Sequence, residues 1–288
     1  MNEPRGQEGA EDTTILRWEG EPEEEWRVRW GVPHLRIYGR TSSTNDRLRE
    51  LARKGVPPLT LILAEEQSRG RGRSGKGWHS PPGVALYLSV LLSGQGREER
   101  NVLPLRVGAA VARALERTVE GLSVGIEWPN DLLAGGRKVA GVLCEAHRGE
   151  HDPGVVVGIG VNVNQSPGDF PTELVGRAGS LAMAVGRPLS RPRLVGGIVA
   201  ELKGLSGSGD GGLSDEEWEE ISSRDVFRGE KVALPDGSEG EAMGIGKDGA
   251  LRVRSEGRDR EIRSGSVVPL NRIEPGIEGN GEGGSGDG

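Results

Sequence analysis

Between Glu65 and Trp78 the chain reads EEQSRGRGRSGKGW, which sets Gly70, Gly72, Gly75 and Gly77 among Arg69, Arg71, Arg73 and Lys76. Glycine lets backbone amides come close to a ligand and the cations supply charge, so this stretch can gather around one anion; that is chemistry for a phosphate. Familiar phosphate motifs fail on context. Gly70 to Lys76 matches G-x-x-x-x-G-K, but Gly77 stands where a Ser or Thr should hold magnesium, and Trp-His-Ser-Pro-Pro follows in place of a helix. Gly70, Gly72 and Gly75 also spell G-x-G-x-x-G without the helix a dinucleotide needs, and the H-R-D and D-F-G triplets of a kinase do not occur. Taken alone, the loop also reads as a solvated RG-rich hairpin or a nonspecific RNA-binding tract.

Further polar residues stand where strands begin or end. Asn130 and Asp131 lie in an irregular turn, suited to a nucleotide and a magnesium ion, although a turn residue capping local amides explains Asp131 as well. Lys138 opens an apolar run, and a buried strand seldom begins with an unpaired lysine. Ser43, Thr44 and Asn45 sit in a strand-to-helix turn, SSTND, where such residues usually cap. Cys144 lies inside GVLCEA and reads as a small hydrophobe; His147 and His151 flank a hairpin turn and are expected to face solvent.

The glycine loop resembles that of biotin protein ligases, commonly G-R-G-R-x-G-R/K-x-W, and Gly70, Arg71, Gly72, Arg73, Gly75, Lys76 and Trp78 fit it in register. The segments W-P-N-D at Trp128, R-K-x-A-G-x-L-x-E at Arg137 and G-I-G-x-N-V-N at Gly158 resemble the remaining family motifs, in family order. The resemblance implies Ser43, Thr44, Asn45, Gln67, Gly70, Arg71, Lys138 and Gly141 around biotin, and Arg71, Arg73, Lys76, Trp78, Asn130, Asp131 and Asn162 around ATP or the adenylate. Lys138 and Arg71 become the candidate catalytic cations, and Asp131 the candidate magnesium ligand. Gly160 permits close backbone approach, and Asn164 is expected to orient groups near the nucleotide. One departure stands out: Glu127 occupies a position before W-P-N-D where the family usually has lysine. Alternation along Ile126, Glu127 and Trp128 turns Glu127 away from the core, toward solvent or a cation such as Arg137.

The elements that position these residues follow from period and punctuation. Apolar runs LTLILA (59–64) and VALYLSVLL (84–92) read as buried strands on either side of the loop, and LRIYGRT (35–41) alternates like another. Leu103, Val107, Val111, Ala114, Leu115 and Thr118 recur at helical spacing, and further helical patterns cover 172–185 and 192–205. From Val226, turns at PDG, KDG and EGR separate short alternating runs, as in a small β-meander that closes as a barrel.

With 288 residues, 34% apolar and 28% charged, the chain has the composition of a soluble globular protein, and it lacks a run long enough to span a membrane or a signal peptide's cationic start. A cytoplasmic location is expected, with no membrane partner. One cysteine and four scattered histidines give neither a disulfide nor metal-ligand spacing. The net charge of −7 is carried by the ends: residues 1–33 hold nine acidic and four basic side chains, residues 274–288 four acidic and none basic, and the body is near +2 by difference. Acidic tails argue against general nucleic-acid binding.

The resulting expectation is an α+β fold: a mixed or antiparallel sheet covered by helices, which the resemblance makes a class II synthetase-like catalytic domain, with a small C-terminal SH3-like β-barrel. Its parts are an acidic extension (1–33) whose tryptophans dock on the domain behind it, a biotin/ATP-binding catalytic domain (34–222), the barrel (223–273) and a disordered glycine-rich tail (274–288). The resemblance implies a ligase that converts biotin and ATP, with Mg²⁺, into biotinyl-5′-AMP and passes biotin to a lysine of a carboxylase's biotin carboxyl carrier domain. A homodimer is left open. Two alternatives stand beside it: a lipoate ligase, which would share fold and reaction type, and a biotin-responsive repressor, for which the N-terminal stretch of residues 1–33 is too short and, being net acidic, wrongly charged.

Overall fold

Runs of alternating or continuous apolar residues become strands, and the 3.6-period runs become the helices that cover them. The computed structural model describes residues 12–93, 99–147, 154–205 and 211–272; the expected tail (274–288), His151 and residues 206–210, in the Gly- and Ser-rich run SGSGDGG, lie outside the described residues. In chain order come β1 (Thr13–Thr14), β2 (Arg17–Trp18), β3 (Glu21–Pro22), α1 (Glu23–Trp30), β4 (Leu35–Thr41), α2 (Thr44–Arg53), β5 (Leu61–Gln67) and β6 (Ala85–Ser93). Next are α3 (Glu99–Thr118), β7 (Gly125–Glu127), β8 (Asp131–Ala134), β9 (Arg137–His147), β10 (Gly154–Asn162), α4 (Leu181–Val185), α5 (Arg191–Lys203) and α6 (Asp215–Arg224). The chain ends in β11 (Lys231–Ala233), β12 (Glu239–Ile245), β13 (Leu251–Ser255), β14 (Arg258–Ile262) and β15 (Val268–Pro269).

The main sheet has eight strands in the order β1-β4-β5-β6-β10-β9-β8-β7, with β4 and β5 parallel and the other pairs antiparallel. Its two faces are unlike. One presents Leu63, Leu88, Val157 and Ile159 to the apolar sides of α3 and α5, namely Val107, Val111, Leu115, Leu194 and Ile198, in one buried core. On the other face Leu48 and Ala52 of α2 cover only Ile62, Leu91 and Val156. Beyond α2 that second face is mostly glycine and polar side chains, with Leu143 opposite Gly158 and Tyr87 opposite Gly160, and the site lies there.

The N-terminal segment is more integrated than a docked extension. Trp18, Trp26 and Trp30 are buried within the main core, with Trp26 and Trp30 stacked at 5.2 Å and Trp18 edge-on to Trp26 at 6.0 Å. Such a ring buries ~200 Å², or roughly 5 kcal/mol each at ~25 cal/mol per Å² before entropy is counted. Trp18 Nε1 donates to Glu65 Oε1, and Arg191, buried to 9% side-chain exposure, pairs with Glu19 and the same Glu65. The segment is thereby tied to the strand that leads into the glycine loop.

The second sheet, β14-β13-β12-β11-β15, is a five-stranded antiparallel meander with its last strand beside β11. It is joined to the main sheet through Val226 N to Ile126 O (3.1 Å) and Trp128 Nε1 to Gly249 O (2.9 Å).

One expected helix does not form. Residues 172–185 give a single 3₁₀ turn at Thr172–Leu174 and the short α4, separated by a turn at 175–177 and a bridge from Ala178 to Lys138. Gly176 adopts φ +82°, and the stretch pairs with β9 instead: Lys138 N donates to Arg177 O and Gly179 N to Lys138 O, both at 2.9 Å. Helix would forfeit those bonds.

Candidate functional site

Cross-strand register fixes which side chains share the second face, because residues directly opposite one another point the same way. Gly160 stands opposite Gly141, and Gly158 opposite Ser89, so the middle of the face is floored by three glycines and a serine. Each glycine makes room for a neighbour. A Cβ on Gly160 would lie 2.5 Å from Trp78 Cε2, one on Gly141 2.9 Å from Trp78 Cζ3, and one on Gly158 2.4 Å from Asn45 Oδ1. Trp78 and Asn45 therefore reach the sheet itself. The indole N–H of Trp78 is buried and meets no acceptor among the described residues, a position a ligand acceptor can fill.

At one end of the floor the SSTND turn enters α2. Ser43 stands at the N-cap, buried, yet its hydroxyl makes no capping bond. Ser89 Oγ donates to Asn45 Oδ1 at 2.6 Å and lies 2.7 Å from Thr44 Oγ1, while Asn45 Nδ2 donates to Glu145 Oε2 at 2.7 Å. The Asn45 amide is held in one orientation by those two partners. Gln67, the last residue of β5, accepts from Thr44 N (2.9 Å) and donates to Ser80 Oγ (3.2 Å), tying this turn to the exit of the loop.

The glycine loop closes as a hairpin strap. Trp78 N donates to Gly70 O at 2.9 Å and Gly72 N to Lys76 O at 2.7 Å, with Ser74 and Gly75 at positive φ in the tip. Gly70 is required by crowding: a Cβ there would meet Ser80 Oγ and Trp78 O, both at 2.7 Å. Lys76 is exposed at the tip. Arg71 reaches one wall, where both its terminal nitrogens bind Asp46 (2.5 and 2.7 Å), and Arg73 reaches the other, donating to Asn130 Oδ1 at 3.2 Å. The Arg71 hydrogen bond holds the Asp46 carboxyl below its usual range, whereas burial pushes the Arg73 guanidinium down, opposed by the Asp131 charge.

Across the floor, Lys138 pairs with Asp131 (Nζ to Oδ2, 2.5 Å) and lies 5.2 Å from the Trp78 ring centroid. Asn130 Nδ2 donates to Asp131 Oδ1 at 3.1 Å and to Val142 O at 2.8 Å. No group of three His, Cys, Asp or Glu able to cage an ion exists among the described residues. Asp131 offers a single carboxylate, engaged by Lys138 and Asn130, and could be at most one ligand of a metal.

The structure brings Ser43, Thr44, Asn45, Gln67, Gly70, Arg71, Arg73, Trp78, Asn130, Asp131, Lys138 and Gly141 around one sheet face. Asn162 lies on the same face, two residues past Gly160 on β10, with its amide already engaged beside Lys138, and Asn164 is turned to the Leu189 backbone. Asn162 donates to Gly179 O (2.9 Å) and accepts from Gln165 (3.0 Å), bracing the stretch that pairs with Lys138, while Asn164 exchanges two hydrogen bonds with the Leu189 backbone. His147, expected in solvent, is 6% exposed because β9 runs through it before the turn begins. Sequence reasoning passed over Ser89, Ser80, Asp46 and Glu145. A lone serine inside the apolar run ALYLSVLL was the available signal for Ser89; the others become partners only through register.

Fold and site together define a small-molecule site on an open sheet face under a cationic strap. A sequence model of the biotin/lipoate A/B protein ligase family matches residues 38–162. The chain is 30% identical over 249 residues to the biotin--[acetyl-CoA-carboxylase] ligase of Mycobacterium tuberculosis, covering 83% of this chain and 90% of that one. It is 37% identical over 168 residues to the bifunctional ligase/repressor BirA of Bacillus subtilis, where the match covers 58% of this chain and 51% of the relative; the chain spans about half the length of that protein. The solved biotin protein ligase from Aquifex aeolicus in complex with biotin and ATP superposes with a TM-score of 0.70 at 31% identity, over 82% of this chain and 99% of that one. The chain belongs to the biotin/lipoate A/B protein ligase family.

Proposed function

We propose that this protein activates biotin with ATP and transfers the biotinyl group to a lysine of a carboxylase's biotin carboxyl carrier domain. The observation that carries the reading is the placement of Lys138: its ammonium stands beside Asp131 and the Trp78 ring, where Gly141 and Gly160 let the indole lie against the sheet as a wall for a flat, mostly apolar ligand. Residues 34–222 do the chemistry in this reading, and residues 223–273 support it.

In the first step a carboxylate oxygen of biotin attacks the α-phosphorus of ATP, and the bond to the leaving pyrophosphate breaks. Ser43, Thr44 and Asn45 offer hydroxyl and amide groups for the ureido ring. Lys138 and Arg71 bring the two anions together and meet charge that grows on the phosphoryl oxygens, the term that matters most in such transfers. Arg73, Lys76 and Asn130 suit the polyphosphate. Magnesium, entering with ATP at Asp131, would neutralise phosphate charge. In the second step the acceptor lysine's amine attacks the acyl carbon, AMP departs with the electron pair, and the amine gives up a proton. Water would destroy the mixed anhydride, so the strap and Trp78 exclude it between steps.

The test is pyrophosphate release from ATP with biotin or lipoate as the acid. Release with biotin alone supports the reading; release with lipoate assigns the chain to the other branch of the family.

A further inference from the structure

Arg71, a candidate ligand for the substrate anion, is not waiting for it. Its Nη1 and Nη2 grip both oxygens of Asp46 at 2.5 and 2.7 Å, and Nη2 also approaches Glu145 at 3.4 Å. Arg49 stands behind, pairing with Asp46 at 3.0 Å and Glu145 at 2.7 Å. Two guanidinium groups and two carboxylates thus make a cluster of zero net charge, and in that state Arg71 offers little net attraction to an incoming anion.

The cluster is also built to exchange partners. If Arg71 swings to a ligand, Asp46 keeps Arg49, and Glu145 keeps Arg49 and Asn45 (2.7 Å), so neither carboxylate is stranded. The other end of the strap rests on a neutral acceptor, Asn130 Oδ1. The charged hold on the strap's walls is therefore at Asp46, which sits in the first turn of α2, immediately after the turn that carries the candidate ring-binding residues.

We propose that Asp46 is an internal counter-anion that latches Arg71, and with it the strap, until the carboxylate or phosphate of a ligand displaces it. The latch stands on the pairing of Arg71 with Asp46; only the identity of the displacing anion rests on the biotin and ATP reading above. Asp46 is a positioning residue: it acts on substrate through Arg71.

The test compares wild type with Asp46→Asn, an isosteric loss of charge, in two arms. Without ligand, trypsin should cut the strap at Arg69, Arg71, Arg73 or Lys76 several times faster in the variant, since its anchor is gone. By calorimetry, biotin or ATP, each titrated alone, should bind roughly fivefold tighter to the variant, the size an ion pair about one-third exposed allows. Biotinol, which lacks the carboxylate, separates the two sources: a gain for biotin that biotinol does not share assigns the displacement to the carboxylate, and a gain for ATP assigns it to phosphate. A general loosening of the fold would not sort ligands by charge. Unchanged cleavage overturns the latch, and so does unchanged or weaker binding of both anions, which would mean that Asp46 aims Arg71 at the ligand instead of withholding it. If wild type binds neither biotin nor ATP, the functional reading falls, and faster cleavage of the variant still supports the latch. Asp46→Ser repeats both arms should the asparagine variant fail to fold.

Discussion

Glu127 and Asp131 face each other across the β7–β8 hairpin as register partners, and Asp131 in turn stands opposite Gly141. Glu127 does point away from the core, as alternation requires, but that direction is the site's own side of the sheet. Its counter-ion is Arg272, from the end of the C-terminal sheet, and not Arg137. An anion replaces the family's usual lysine here and brings its own cation from the second domain.

Burial raises the pKa of Glu127 above its ordinary 4.5, with Arg272 opposing and Asp131 reinforcing the shift. A carboxyl whose folded pKa is raised contributes stability that is complete below 4.5 and is lost as pH climbs through the folded value. Glu127→Gln removes that loss. Its Tm should match wild type at acid pH and exceed it by about 2 °C near pH 8, while the Michaelis constant for ATP changes less than about threefold. A variant less stable at pH 8 than at pH 4, relative to wild type, contradicts this.

Lys138→Ala should slow adenylate formation by roughly 10²-fold or more with the fold intact, since an ammonium aimed at developing charge is lost. Asp131 is its direct partner, so a control is needed. If Lys138 served only to neutralise Asp131, the double variant Lys138→Ala/Asp131→Asn would recover near wild-type rates; we expect no recovery.

Gly160→Ala should weaken biotin binding by at least about tenfold, because one methyl on the floor would sit 2.5 Å from the Trp78 ring and lift it from the sheet. Calorimetry on the folded variant decides it, and an unchanged affinity would move the ligand away from this floor.

Trp18→Ala should cost about 3–5 kcal/mol by denaturant titration, the range for emptying a buried aromatic site, and more than its place near the chain's start suggests. Trp18 is 3% exposed and also holds Glu65. A loss under about 1 kcal/mol would mean that the N-terminal segment is dispensable to the core.

Much of this was legible in the sequence, for identifiable reasons. The strap could be found because glycine and arginine at that density have few other uses between two apolar strands, and Lys138 because a buried strand rarely starts with a charge. Periodicity gave Val111 its place on the covering face of a helix, whereas only the structure shows Leu48 covering the opposite side of the same sheet. What period cannot give is the partner across space. That Arg71 would meet Asp46, that Asn162 would brace residues 178–180 and that Trp78 would lie on Gly141 and Gly160 depend on register between distant strands. The helix expected over 172–185 failed for a related reason: the unpaired backbone edge at Lys138 offered hydrogen bonds that local propensity does not see.

The central claim is most directly tested by biotin-dependent exchange of pyrophosphate into ATP, measured on wild type and Lys138→Ala with magnesium present. Exchange that requires biotin, ignores lipoate and falls about 10²-fold or more in the variant is the predicted result. Exchange driven by lipoate, or by biotin with equal rates in both proteins, would contradict the account.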